Sequence, residues 1–263
     1  QRLLEEIVLG WARDLHEMTG ITRLCLAGGV GLNCVLNARL LEATPFQDLF
    51  VQPAAGDSGA ALGAALYVLH QQRGVPRRFV MTHASWGPEA SEAAQANAIR
   101  QSGLRVTRPA DLAAEVAARL AGGELVGWFQ GRMEWGPRAL GHRSILADPR
   151  SESAGARLRQ QVKPRDDFQP FAPSILAEHV REYFACPQDR SPFMLTVGRA
   201  SPAARERLPA VVHVDGTSRL HMVDEHADPL YRRLLQEFHR IAGVPAVLNT
   251  SFNAPGEPIV CRP

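Results

Sequence analysis

Apolar residues recur at helix-face spacing from the first positions of the chain. Leu3, Leu4, Ile7, Val8 and Trp11 share one side, and the pattern closes at Gly20. This predicts an amphipathic helix over residues 1–20, ended by a residue free to turn left-handed. The apolar run Arg23-Leu24-Cys25-Leu26-Ala27 reads as a strand that enters Gly28-Gly29-Val30-Gly31, after which helical spacing returns over 32–41. Phe50-Val51 predicts a second strand, 53–56 a loop, and Asp57-Ser58-Gly59 the opening of a small-residue helix over 60–69. Strand, glycine turn and helix, repeated once, suit an α/β layer with ligand groups at the strand ends.

The pattern breaks over 71–88, where Gly74, Pro76, Trp86, Gly87 and Pro88 fall among polar residues. This divides the chain into units of 1–82 and 83–263. In the second unit, helices are expected at 89–101, 112–120 and 230–242. Strands are expected at 104–107, 125–129, 193–197, 211–214 and 246–248. Mixed elements without strict alternation indicate an α+β domain.

Composition narrows the class. With 45% apolar and 21% charged residues the chain is globular, and a net charge of +2 with dispersed arginines does not suit a nucleic-acid binder. No apolar run reaches the ~18–20 residues of a membrane span. Four irregularly spaced cysteines suggest neither a zinc ribbon nor a disulfide framework, so a cytoplasmic protein with reduced thiols is expected. The chain opens inside a helical pattern without Met and stops just after the strand-like 258–261, so a piece of a longer protein is expected. Among 29 basic side chains only Lys163 is a lysine.

Four segments carry chemistry. Glycines between strand and helix at 28–31 bring backbone N–H groups close to an anion, although the spacing fits neither the dinucleotide nor the P-loop fingerprint. Asp57, behind a strand, reads either as a helix cap or as a carboxylate aimed at a metal. Residues 130–144 hold Arg132, Arg138 and Arg143, Glu134 and three glycines, a pattern suited to capturing phosphate or carboxylate or to an ordinary solvated loop. Downstream, Lys163 opens a stretch with Pro164, Pro170 and Pro173 that presents Lys163 and Arg165 beside Asp166 and Asp167. Rigid presentation of a cation suits a preorganised anion site. Finally, 214–219 and 248–253 end predicted strands with Arg219, Asn249 and Ser251. No pair of histidines has the spacing of a helical metal site, and no nucleophile stands out.

These segments, in this order, resemble the O-carbamoyltransferase family. The matching stretches are AGGVGLNCVLNARL at 27–40, QPAAGDSGAALGAAL at 52–66, GWFQGRMEWGPRALGHRSILADPR at 127–150, VKPRDDFQPFAPSILAEH at 162–179, DGTSR at 215–219 and VLNTSFNAPGEPIV at 247–260. The resemblance implies part of an actin/Hsp70-like (ASKHA) lobe over 1–82, then a YrdC-like mixed α/β domain over 83–263. It implies formation of carbamoyl-adenylate from ATP and carbamoyl phosphate, then transfer of the carbamoyl group to a hydroxyl of a small-molecule acceptor. Arg138, Lys163 and Arg219 would be the catalytic cations. Gly28, Gly29, Asn33, Arg132, Arg143, Asn249 and Ser251 would contact nucleotide or carbamoyl phosphate, and Asp57 would be a metal ligand. ATP and Mg²⁺ are the implied cofactors, with Fe²⁺ or another divalent metal at a transfer site whose paired histidines would precede Gln1. A homodimer is compatible with the resemblance, and neither nucleic acid nor membrane is an expected partner. A small-molecule kinase on the same fold and a non-catalytic nucleotide-binding fragment are the alternatives, though a kinase leaves the 131–141 stretch without a role.

Overall fold

In a computed structural model describing residues 1–164 and 169–263, the N-terminal apolar face folds as α1 (Arg2–Thr19), closed by Gly20 at φ 66°. Arg165, Asp166, Asp167 and Phe168 lie outside the described residues. β1 (Arg23–Leu26) passes through a single 3₁₀ turn, Gly29–Leu32, into α2 (Cys34–Ala43). β2 (Asp48–Val51) then lies parallel to β1, with Leu24 opposite Leu49 and Leu26 opposite Val51. The crossover helix between them is what permits parallel pairing. A second 3₁₀ turn, Asp57–Gly59, leads into α3 (Ala60–Tyr67), none of whose residues is buried, and a π turn follows at Val68–Gln72.

Past the irregular stretch, α4 (Glu92–Ser102) starts later than the periodicity suggests, because Ser91 Oγ caps it by accepting from Ala94 N at 3.2 Å. The expected strand at 104–107 does not form. Those residues are exposed and pair with no other strand among the described residues. α5 (Leu112–Ala121) is capped by Asp111, whose Oδ1 accepts from Ala114 N. The remaining elements are β3 (Val126–Phe129), β4 (Arg143–Ala147), α6 (Glu152–Gln161), β5 (Ala172–Leu176), α7 (Val180–Tyr183), β6 (Phe184–Ala185), β7 (Thr196–Ala200), α8 (Pro202–Arg207), β8 (Thr217–Val223), α9 (Pro229–Ala242) and β9 (Ala246–Ser251).

The seven strands of the second region form one mixed sheet in the order β3-β4-β9-β5-β8-β7-β6. β5 lies inside the sheet, antiparallel to β9 and parallel to β8. Every residue of β4 and β5 is buried, yet Arg143, Ser144, Pro173 and Ser174 hide both from a hydrophobic count. The expected strand at 211–214 is replaced by a 3₁₀ turn at Pro209–Val211, where Pro209 sets the backbone, and the strand begins instead at Thr217.

α9 lays Tyr231, Leu234, Leu235 and Phe238 along one buried stripe, facing α5, which buries Ala113, Val116, Ala117 and Leu120. Both stripes follow the 3.6-residue period of a helix packed on one side. A second apolar cluster joins the small parallel pair to the large sheet. Leu36, Leu40, Phe46, Leu49 and Val51 pack with Leu140, Ala172, Phe193, Met194 and Leu195. Asn37, itself buried, bridges the same seam by donating to Gly31 O and Leu195 O, each at 2.8 Å.

Gly141 sits where the loop before β4 crosses α9. Its φ is 97°, and a Cβ there would lie 2.4 Å from Tyr231 Cδ1. Gly141→Ala is therefore expected to destabilise the fold by ~2–4 kcal/mol, through left-handed strain plus overpacking. Urea unfolding of the variant measures it, and an unchanged midpoint would show that Tyr231 yields freely.

Candidate functional site

The loop between β3 and β4 is organised by one buried carboxylate. Glu134 Oε1 accepts from the backbone N–H of Leu140 at 2.6 Å, His142 at 2.9 Å and Arg143 at 3.3 Å. Three donors on one ionised oxygen satisfy backbone groups that would otherwise be buried unpaired. Arg143, fully buried, clamps the same loop from the other end. Its Nη1 donates to Gln130 O and His142 O, its Nη2 to Gly131 O, and its guanidinium stacks 3.6 Å over the Phe129 ring. Burial pushes the Arg143 pKa down, and Glu134 is the foremost opposing influence.

The clamped loop carries Arg138 to the seam between the two regions. Arg138 Nη2 reaches Leu32 O at 3.4 Å, and its Nε has no partner among the described residues. Burial lowers its pKa, while nearby Cys34 opposes the shift. A Cβ on Gly136 would sit 2.4 Å from Pro53 O, so only glycine allows the loop to lie this close to the 53–56 turn. Gly28 N donates to Ala55 O at 2.8 Å. Asn33 Oδ1 caps α2 by accepting from Leu36 N at 3.1 Å, and its Nδ2 donates to Gln1 Oε1. Gly29 lies against Gly56. The glycine turn, the 53–56 turn and the Arg138 loop thus meet, with several of their polar groups already engaged in the fold.

On the large sheet the cross-strand register puts Leu146, Asn249 and Ala172 in one row and Ser144 and Ser251 in the next. Side chains alternate along a strand, so Asn249, Ser251 and Ser174 share a face with His221, Ser174's partner on β8, and with Arg219 two residues before it. Lys163, buried at the end of α6, brings its Nζ to Ser251 Oγ at 3.1 Å and donates to Asn253 Oδ1. Ser251 Oγ also donates to Asn253 Oδ1 at 2.6 Å. Asn249 Nδ2 donates to Ala139 O and Ser174 Oγ, each at 2.9 Å, which ties the sheet to the residue beside Arg138. Asn249 Oδ1 is buried without a partner among the described residues.

A polar relay supports Asn249 from behind. Ser174 Oγ accepts from Tyr231 Oη at 2.8 Å as well as from Asn249, so its own proton goes to His221 Nδ1 at 2.7 Å. His221 must therefore be neutral. Burial agrees, lowering its pKa to about 3, with Asp224 opposing and His142 assisting.

The structure thus brings Arg138, Lys163, Arg219, Asn249 and Ser251 to one face of the sheet and its covering loop. It does not bring Arg132 or Asp57 there by any contact. Arg132 donates to Gly87 O and Trp86 O, pinning the 84–88 segment. Asp57 is exposed at the head of a 3₁₀ turn and makes no capping bond. Among the described residues no three His, Cys, Asp or Glu side chains group to hold a metal ion, so Asp57 alone does not fit a closed transition-metal site. Glu134, Ser174, His221, Tyr231 and Asn253 carry much of this geometry without having been singled out from sequence. The long 130–144 motif was the signal for Glu134. Nothing local to Ser174, His221 or Tyr231 marked them.

Comparison with known proteins shows the family of the chain. A family model described as "Carbamoyltransferase C-terminus" matches residues 117–263, and one described as "Carbamoyltransferase N-terminus" matches residues 1–66. The chain belongs to the carbamoyltransferase family. It is 45% identical to nodulation protein NolNO of Sinorhizobium fredii, over 99% of this chain and 39% of that protein. It is 44% identical to nodulation protein NolO of Bradyrhizobium diazoefficiens, over 99% and 48%. It is 35% identical to the 3'-hydroxymethylcephem-O-carbamoyltransferase of Amycolatopsis lactamdurans, over 94% and 45%. The chain spans about half the length, or less, of these curated relatives. No helix among the described residues is long and apolar enough to cross a membrane.

Two measurements check this architecture. Glu134→Ala strands three buried N–H groups and is expected to cost at least ~3 kcal/mol in chemical unfolding, whereas Glu134→Gln, which keeps Oε1, costs less. Neutral His221 adds acid sensitivity. As pH falls below 6.5 the unfolded chain takes up a proton that the folded ring refuses, so stability present above pH 6.5 is lost progressively toward pH 3. Between pH 6.5 and 5, wild type should lose about 1.5 kcal/mol more than His221→Gln. Parallel stability–pH curves for the two would show that His221 is protonated in the fold.

Proposed function

We propose that this chain is the nucleotide-handling portion of an ATP-dependent O-carbamoyltransferase, which forms carbamoyl-adenylate and passes the carbamoyl group to a hydroxyl of a small molecule. The observation that supports this most is the contact of Lys163 with Ser251 and Asn253 at the sheet face that also carries Asn249 and Arg219, beneath the loop that bears Arg138. The reading takes 1–82 as part of an actin/Hsp70-like lobe and 83–263 as a YrdC-like domain.

Carbamoyl phosphate and ATP bring several negative charges together, and cations held in place by the fold offset that repulsion without reorganising. In the reaction as proposed, water releases phosphate from carbamoyl phosphate and leaves carbamate. A carbamate oxygen attacks the α-phosphorus of ATP, pyrophosphate departs, and carbamoyl-adenylate forms. The acceptor hydroxyl then attacks the carbamoyl carbon, its proton is lost, and AMP leaves. Arg138 and Lys163 would hold the phosphoryl oxygens, Arg219 would lie alongside them, and Asn249 Oδ1 would accept from the carbamoyl amine. Mg²⁺ enters as the counter-ion of ATP, and no step is assigned to a transition metal, because the described residues do not assemble one. The water-labile adenylate calls for an enclosed passage between the two units. The acceptor class includes the cephem hydroxymethyl group that the Amycolatopsis relative's name gives, and sugar hydroxyls are read alongside it.

The assay supplies ATP, Mg²⁺ and carbamoyl phosphate and follows pyrophosphate release. Release dependent on carbamoyl phosphate is expected, with Lys163→Ala about 100-fold slower. Equal release from wild type and Lys163→Ala would overturn the assignment of Lys163, and no release from wild type would reduce the chain to a nucleotide-binding fragment.

A further inference from the structure

A serine and a histidine meet away from the sheet face, where the 84–88 segment packs on the loop before β4. Ser85 Oγ lies 2.8 Å from His142 Nε2. His142 Nδ1 lies 3.3 Å from Gln130 O, and a carbonyl oxygen can only accept, so Nδ1 carries a hydrogen. In the neutral ring Nε2 is then a bare lone pair, and the Ser85 hydroxyl donates to it. Carbonyl, imidazole and hydroxyl follow one another as a base-activated nucleophile requires: a group that orients the base, the base itself, and the nucleophile within hydrogen-bond reach. His142 is 7% exposed, whereas Ser85 is half-buried, so the base is shielded and the hydroxyl lies nearer the surface.

Both partners are held by backbone. His142 N donates to Glu134 Oε1, which fixes the histidine, while Trp135 N donates to Ala84 O at 2.7 Å and Gly87 N to Met133 O at 2.8 Å, on either side of Ser85. A pair fixed in this way needs little reorganisation when the hydroxyl reacts. The surroundings indicate what it would react with. Ser85 N donates to His83 Nδ1 at 3.2 Å, and the His83 ring stacks on Trp86 with centroids 4.6 Å apart and planes 15° apart. Phe79 meets Trp86 edge-on at 5.5 Å, and Trp86 and Phe79 remain 43% and 56% exposed. An open aromatic surface beside a hydroxyl suits an apolar acyl group. Arg132 donates to the carbonyls of Trp86 and Gly87, the two residues after Ser85, so a fixed cation stands close by with the charge that a developing oxyanion needs.

We propose that Ser85 is a nucleophile with His142 as its general base, and that the pair hydrolyses carboxylic esters of small apolar acids. Ser85 Oγ attacks the ester carbonyl carbon and its proton passes to His142 Nε2. The bond to the leaving oxygen breaks, and the alcohol departs with that proton. Water then attacks the acyl group on Ser85 and gives a proton to His142 Nε2. The acid leaves, and the proton returns to Ser85 Oγ. The activity is separate from the carbamoyl reading, because it uses none of Arg138, Lys163, Arg219 or Asn249.

The test treats the whole chain with a small alkyl fluorophosphonate, which phosphonylates activated serines, and maps the adduct by mass spectrometry. An adduct on Ser85 is expected in the folded chain and none after unfolding in urea. His142→Gln, which keeps an N–H donor for Gln130 O but supplies no base, should slow its formation about 100-fold. Release of nitrophenol from nitrophenyl butyrate should be lost in Ser85→Ala. A hydrogen bond that serves only the fold leaves Ser85 of the wild type unlabelled, and that result overturns the proposal. An adduct forming equally fast in wild type and His142→Gln overturns it too. Should His142→Gln fail to fold, wild type against Ser85→Ala still decides, since equal ester hydrolysis by the two removes Ser85 from the chemistry.

Discussion

A single buried carboxylate holds the site together. Glu134 draws the N–H groups of Leu140, His142 and Arg143 onto one oxygen, and this bends the chain so that β4 begins where it does. Remove that anchor and Arg143 loses the loop it clamps, Ala139 loses its place over Asn249, and Arg138 is no longer held at the seam. Burying a charge is expensive, and here three charge-assisted hydrogen bonds offset the cost. Glycine is the second requirement. Gly136 and Gly141 lie at φ 118° and 97° and approach Pro53 O and Tyr231 too closely for any side chain.

Around that loop the molecule separates two polar tasks. The relay of Tyr231, Ser174 and His221 lies within the fold, and each donor and acceptor in it has a defined direction. It holds the Asn249 amide so that Nδ2 faces Ala139 O and Oδ1 is left over. The charged groups stand at the sheet's end, where Lys163 is coordinated by Ser251 and Asn253. A compact ammonium on a flexible stem fits between two small oxygen acceptors, where a planar guanidinium fork would not. This is a physical reason for the chain's one lysine to stand at that position.

Much of the fold could be read from the order of residues. Apolar period was sufficient for α1, α2, α5 and α9, with Gly20 as the end signal of α1, and the structure adds Asp111 as the cap of α5 and a left-handed Gly243 after α9. The strands were harder. β4 and β5 are wholly buried, but they carry Arg143, Ser144, Pro173 and Ser174, whose polarity or missing N–H argues against a central strand. Residues 104–107 have strand-like composition and form none, because a strand exists only where another offers an edge. Arg132 and Arg143 stand in the same motif as Arg138, and spacing alone could not mark them as loop clamps. Only their bonds to backbone carbonyls do so.

By itself, the sequence determined the mixed α/β class, the helices with clear caps, the family, and the short set of residue types able to hold an anion. Those properties are local: they depend on period, turn chemistry and motif. Tertiary structure decided which of those residues meet. Lys163 and Ser251 are far apart in the chain and become neighbours because the end of α6 packs beside the end of β9, while Asn249 touches Ala139 because β9 pairs with β4. Register and burial are set by the whole packed chain, so which arginines clamp a loop, which histidine is neutral and which acceptor is left over could be known only once the sheet was assembled.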